Sequence, residues 1–418
     1  MIVRMSMFRF CFILWAGLAV MACTDAKPVF QCTDSIGCVD IAPGKPIKIG
    51  VLQSLSGKVA PLGHEQIRGL ELAMETIGGQ IAGHTIVLKV EDTGCTTEGG
   101  ANSVLKIIAD PQMVAIFGTT CSGAAQTASH AMSHAGLTMI SGNNSAPFLT
   151  SVNNERAPYW QEGYFRVSKN EEHAGKAAAI YAFDSLKVTK VATINDGDIY
   201  TRGLTEGFVR EFEKLGGQIV LDTAIAKGEE QMGPVLTAVL NVGAQLLFSP
   251  LFQPEGNHLV VQARNIPGLD RLILMSDGAL IESSFINEVQ DKGTGMYFVG
   301  PSQPEGAAAS ALVTAYQTRY QEKSSASYFL FGFDAANLLF KAIADVAVNE
   351  NDGSLHVGRK ALRDAMYRMK NIQGVTGSLS CNEFGDCSVP DFVILRLDDP
   401  QAGVEGLQSN VMARYTFE

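Results

Sequence analysis

Val114-Ala-Ile-Phe-Gly-Thr-Thr-Cys-Ser-Gly123 and Leu137-Thr-Met-Ile-Ser-Gly-Asn-Asn-Ser-Ala-Pro147 state one pattern twice. A short apolar run, of the length of a buried strand, ends in a loop of small and hydroxyl-bearing residues. Between the two runs, Ala124 to Ala135 reads as a helix. Strand, polar loop, helix, strand is the unit of a parallel sheet with helices on its faces.

The same alternation extends in both directions. Upstream lie a strand over Ile47–Leu52, a helix over Leu62–Ile77 with Ile67, Leu70, Ala73, Met74 and Ile77 on one face, a strand over Thr85–Val90 and a helix over Asn102–Ala109. Downstream, after a polar stretch from Asn143 to Gln161, it restarts. Helices are expected over Glu171–Phe183, Gly203–Leu215, Val235–Val242 and Asn257–Arg264. Strands are expected over Val188–Ile194, Ile219–Ala226, Gln245–Phe248, Leu272–Met275 and Met296–Val299. Two such blocks predict two doubly wound α/β lobes. A helical stretch from Ala307 to Lys370 and a hairpin at Cys381 follow.

Composition narrows the functional classes. The 418 residues are 46% apolar and 18% charged, with a formal charge of −11, which fits a globular chain and argues against nucleic-acid binding. The first residues read as a targeting segment. Arg4 and Arg9 precede an uncharged run from Phe10 to Ala22, too short for a membrane span but suited to a signal peptide over 1–22. Val20-Met21-Ala22-Cys23 resembles a bacterial lipobox that would lipidate Cys23, although Met21 is not the commonest residue there. Ordinary signal-peptidase cleavage is the competing reading, and both export the chain.

The chain has eight cysteines. With Cys11 in the signal and Cys23 at the anchor, six remain. Cys32–Cys38 and Cys381–Cys387 each flank a five-residue loop that a hairpin closes to disulfide range, leaving Cys95 for Cys121. No pair has C-x₂-C spacing and no His cluster joins them, so no metal site is expected.

Catalytic signatures are missing. There is no G-x-x-x-x-G-K-[ST] loop and no G-x-S-x-G elbow, and His64-Glu65 is followed by Arg68 where a zinc protease needs its second His. Glu171-Glu172-His173 looks like an acid–base group but opens a helix, where acids ordinarily complement the dipole. The polar loops that follow the strands carry more information. In open sheets, ligands bind beyond the carboxyl ends of strands, so the loops holding Ser122 and Ser145 suit a carboxylate. Simple N-caps are the alternative for both serines. In the second block Asn195-Asp-Gly-Asp-Ile-Tyr200 and Ser276-Asp277-Gly278 end strands; Asp277 suits an ammonium, or merely a turn.

Read in order, Ile47-Lys-Ile-Gly-Val-Leu-Gln-Ser-Leu-Ser-Gly57, Cys121-Ser-Gly-Ala-Ala-Gln126, Met139-Ile-Ser-Gly-Asn-Asn-Ser-Ala-Pro147, Asn195-Asp-Gly-Asp-Ile-Tyr-Thr-Arg-Gly203, Pro254-Glu255 with Gln262-Ala-Arg264, Ser276-Asp-Gly278 and Gly374-Val-Thr-Gly-Ser-Leu379 with Asn382-Glu-Phe-Gly-Asp386 resemble the leucine/isoleucine/valine-binding protein family, the solute receptors of ABC transporters. The resemblance spans roughly residues 46 to 398. It implies a type I periplasmic-binding-protein fold with a ligand cleft between lobes, and a disulfide at Cys95–Cys121. It also implies roles: Ser122 and Ser145 hold the ligand carboxylate, and the Asn143 carbonyl accepts from the ammonium. Tyr200 closes over the ligand, Asp277 pairs with the ammonium, and Leu62, Tyr200 and Phe252 form an apolar wall. Two departures stand out. Phe252 replaces a frequent Tyr, and Asn143 and Asn144 replace small residues.

The expected organisation is a 23–45 anchor and linker, a first lobe from 46–166 with 301–378, and a second from 167–300 with 379–418. Crossovers are expected near Phe165–Ser168, near Val299–Gln303 and in the final hairpin region. The expected function is capture of an amino acid or similar zwitterion for a membrane permease, by a lipid-anchored monomer without cofactor. A sensor for amides or short carboxylates is the alternative on the same fold, and an α/β enzyme is the alternative of another class.

Overall fold

Ile47–Gln53 is an inner strand of a six-stranded sheet, in a computed structural model that describes residues 30–417. His84–Asp92 and Met113–Gly118 run parallel to it on either side, with Ile49 opposite Leu88 and Ala115. Thr138–Ser141 and Tyr164–Arg166 continue the sheet in parallel, and Gln80–Ile81 closes the far edge antiparallel. A strand paired on both sides and covered on both faces has no wet side, so Ile47, Ile49, Val51 and Leu52 are all buried.

The second sheet has seven strands, in the order Gln218–Ala224, Lys190–Asn195, Leu246–Phe248, Ile273–Ser276, Tyr297–Pro301, Asp391–Arg396, Val411–Thr416. The first five are mutually parallel and the last two antiparallel. The two sheets with their helices make the type I periplasmic-binding-protein fold expected from the resemblance. The expected signal peptide over 1–22 and the expected lipidation site Cys23 lie outside the described residues.

Three parts differ from the sequence reading. The stretch Ala307 to Lys370 is not continuous helix. Helices Ala307–Tyr320, Phe329–Val346 and Arg359–Tyr367 are interrupted by strands Ala347–Asn349 and Leu355–Gly358, which join Cys38–Ile41 in a small antiparallel sheet. Asn351-Asp352-Gly353, with Gly353 at φ +88°, makes the turn that a helix cannot pass. The final strands Asp391–Arg396 and Val411–Thr416 were not anticipated. Leu379, Cys381 and Cys387, expected in the second lobe, pack in the core of the first, so the chain enters the second sheet only at Asp391. The structure pairs Cys32 with Cys38, Cys95 with Cys121, and Cys381 with Cys387.

The chain passes between the sheets after Arg166, after Pro301 and between Cys387 and Asp391, and the first and last passages are pinned together. The Cys387 N–H donates to the Arg166 carbonyl at 3.0 Å. The fully buried Arg166 guanidinium pairs with Asp386 at 2.6 Å and donates to Ala146 O at 2.7 Å and Thr150 Oγ1 at 2.5 Å. Every nitrogen of that buried cation is occupied, the condition under which burial is tolerable.

Candidate functional site

In each sheet, strand order reverses beside the first strand of its block: Ile47–Gln53 lies between His84–Asp92 and Met113–Gly118, and Lys190–Asn195 between Gln218–Ala224 and Leu246–Phe248. Such switch points leave crevices beyond the strands' carboxyl ends. Leu62, Thr120, Ser122, Asn143 and Ser145 come from the first crevice and Tyr200 and Phe252 from the second, and together they line one cavity. Six of the seven residues expected at the ligand therefore meet there. Asp277 does not line the cavity itself. It is completely buried behind Tyr200, whose hydroxyl donates to Asp277 Oδ2.

The first-lobe loops are knitted to each other. Ser122 Oγ accepts from the Ser145 and Ala146 amides at 3.3 and 3.2 Å, so Ser122 is no N-cap, and Cys121 occupies that position. Asn143 Nδ2 donates to Thr120 O at 3.1 Å, while Asn144 turns inward and its Oδ1 accepts from Thr119 N and the Tyr164 hydroxyl. Gly142 makes the close packing possible. A Cβ there would stand 2.4 Å from Gln66 Oε1 and 2.7 Å from Gly332 Cα. On the other side, Asp198 caps the helix Ile199–Lys214 by accepting from Tyr200 N at 2.9 Å, and the Tyr200 and Phe252 rings lie 5.1 Å apart.

The two lobes are in contact around the cavity. Glu171 N donates to Ser145 O at 3.0 Å, Ser283 N to Ser325 O at 3.2 Å, the Tyr328 hydroxyl to Gly278 O at 3.3 Å and Lys227 Nζ to Cys95 O at 3.0 Å. The cavity they enclose measures about 30 Å³, room for roughly two waters.

Sequence reasoning missed Glu171, Lys169 and Tyr328, all of which line the cavity. Glu171 was read as an acid complementing a helix start. It stands at that position, before Glu172–Ile180, but is buried, and its Oε2 has no hydrogen-bond partner among the described residues. Burial and the nearby Asp277 carboxylate push Glu171 up to about 8, against the Ser145 and Tyr200 hydroxyls. Burial likewise pushes Asp277 up to about 7, with the Tyr200 and Ser276 hydroxyls opposing. Burial pushes the Lys169 ammonium down to about 7, while its contact with Asp391 favours the charged form. Tyr328 is delivered by Glu65, a buried carboxylate that accepts from the Ala326 and Tyr328 amides at 2.9 and 2.7 Å. No group of three or more His, Cys, Asp or Glu among the described residues is placed to hold a metal ion.

A family model described as periplasmic binding protein matches residues 46–384. The Leu/Ile/Val-binding protein homolog 3 of Brucella melitensis biotype 1 is 26% identical over 356 residues, covering 84% of this chain and 92% of that one. The leucine-binding protein LivK of Thermotoga maritima superposes with a TM-score of 0.74 at 19% identity, over 89% of this chain and 98% of its own. An ABC-transporter solute-binding protein of R. palustris, solved with benzoate, gives 0.72 at 20% identity, over 89% and 96%. With most of its length matched and both sheets in place, the chain belongs to the periplasmic binding protein family.

Proposed function

We propose that this chain is an exported receptor that captures an amino acid, or a similar small zwitterion, and presents it to an ABC-transporter permease. The supporting observation is Glu171, which lines the cavity with its Oε2 unpartnered among the described residues and the Asp277 carboxylate nearby. Two buried carboxylates at one wall form a poor site for an anion and a good one for an ammonium. Ser122 and Ser145, on the first-lobe loops, are the donors for the ligand carboxylate, and Asn143 lines the cavity with them. Leu62, Tyr200 and Phe252 supply the apolar wall. Closure of the lobes, one from 46–166 with 301–378 and the other from 167–300 with the final strands, couples capture to docking. The family match and the relatives' names as binding proteins support a receptor that binds without turnover. Cys23 is the proposed lipid anchor, and Cys23→Ser is expected to release the protein from membranes.

A thermal-shift screen of the common amino acids and small carboxylates, followed by calorimetry, tests the reading. Glu171→Gln keeps the side-chain shape and removes the charge at the cavity wall, and affinity for an α-amino acid is expected to fall by roughly 2–5 kcal/mol. A ligand lacking the amine is expected to lose far less. If wild-type protein binds benzoate or another amine-free carboxylate and no amino acid, the carboxylate-sensor reading replaces this one.

A further inference from the structure

Lys169 is 5% exposed and lines the cavity on the first passage between the lobes. An ammonium carries three N–H groups. Among the described residues its acceptors are the carbonyl and the Oδ1 of one residue, Asp391, where the chain enters the second sheet. One N–H is thus without an acceptor on a side chain that lines the cavity, in company with Ser168, Glu171, Pro301, Tyr328 and Phe392. A buried donor without an acceptor is costly, and a ligand that supplies one recovers that cost.

The charge of Lys169 is already balanced by Asp391. Glu171 faces the same cavity and Asp277 lies directly behind Tyr200. With Lys169 already neutralised by Asp391, a ligand tail ending in a carboxylate would lose its hydration with no uncompensated cation to meet it. An aliphatic tail would leave the Lys169 donor unpaired. A neutral carbonyl takes the spare N–H and adds no charge.

Resting on the amino-acid reading above, we propose that Lys169 is a specificity-determining residue that selects an amino acid whose side chain ends in a neutral acceptor, a carboxamide above all, over aliphatic and acidic side chains. The contact sets the identity of the tail, while Ser122, Ser145 and the carboxylate wall set the α-amino and α-carboxylate ends.

Leucine, asparagine and aspartate share one branching shape and differ in the chemistry of its tip; methionine, glutamine and glutamate give a longer set. Calorimetry of wild-type protein with all six is expected to rank the amide at least 10-fold above its aliphatic and acidic counterparts in one of the sets. Lys169→Met keeps the apolar stem and is expected to reduce the amide-to-aliphatic ratio at least 10-fold, whereas Lys169→Arg retains the preference. The wild-type ranking carries the test by itself if the Met variant does not fold. Leucine or an acid binding as tightly as its amide counterpart in both sets, or a ratio unchanged in a folded Lys169→Met, overturns the inference and leaves the amino-acid reading standing. Binding of none of the six overturns the inference, and the wider amino-acid screen then decides the reading on which it rests.

Discussion

Arg166 and Glu171 lie five residues apart in the sequence and are both buried, yet their surroundings are opposite. Arg166 sits where two passages between the lobes cross, and its guanidinium meets Asp386, Ala146 O and Thr150. Glu171 faces the cavity with a second carboxylate for a neighbour and one oxygen unpartnered. The first cluster is complete without a ligand. The second is incomplete among the described residues, and the proposed ligand would complete it. Burial alone therefore does not distinguish structure from function in this molecule; the presence or absence of a matching partner does.

The largest expected effect lies at the complete cluster. Arg166→Met fills similar space but leaves Asp386 without its cation in a nearly buried position, and breaking such a pair costs roughly 3–5 kcal/mol. Urea unfolding followed through Trp160, whose indole donates to Phe384 O beside the same crossing at 3.1 Å, measures it. A loss below about 1 kcal/mol would mean the crossing is held by backbone pairing and not by the ion pair.

The incomplete cluster is expected to show itself through pH. Glu171 near 8 and Asp277 near 7 keep protons that the unfolded chain releases in the ordinary carboxylate range. Their contribution to stability is thus full at low pH and is lost as pH rises through those values, at about 1.4 kcal/mol per pH unit for each proton difference. Lys169, shifted the other way, contributes the opposite slope above pH 7. Comparing wild type with Glu171→Gln cancels that contribution. The variant is expected to lose less stability between pH 5 and 8 and to be the more stable protein at pH 8. Parallel curves for the two proteins would refute the upward shift of Glu171 by burial and the nearby Asp277. Ligand binding should show the reverse face of the same chemistry, with amine affinity rising over that range as the proton is displaced.

Much of the frame was legible because buried parallel strands write themselves as short apolar runs, and the loops carrying Ser122, Ser145, Tyr200 and Phe252 follow such runs directly. The late strands were not. Asp391–Arg396 pairs antiparallel with Tyr297–Pro301, nearly a hundred residues earlier in sequence, and no local pattern records that pairing. The helix expected to Lys370 failed at an Asn-Asp-Gly turn that apolar periodicity on either side outweighed. Glu171 was discounted for a different reason. An acid at a helix start reads the same whether it faces water or a closed cavity, and only the packing of the second lobe over it decides. Asp277 was expected to meet the ligand directly, but the Tyr200 hydroxyl stands in front of it, a product of the fold that spacing does not encode.

The smallest expected effect separates the rim of the cleft from its floor. Lys58 reaches Glu288 across the lobes at 2.8 Å, with side chains 52% and 38% exposed. Water and salt screen such a pair, and holding two long side chains together costs entropy, so its worth is about 0–1 kcal/mol. Lys58→Ala is accordingly expected to leave the unfolding midpoint almost unchanged and to weaken ligand binding by at most about fivefold, with the effect fading as ionic strength rises. Solution scattering on ligand-saturated protein should still report compact, closed lobes, because the contacts made by Glu171, Tyr328 and Ser325 remain. If Lys58→Ala instead leaves the lobes open with ligand bound, closure is governed at the rim, and the contrast between Arg166 and Glu171 describes binding chemistry without describing what holds the cleft shut.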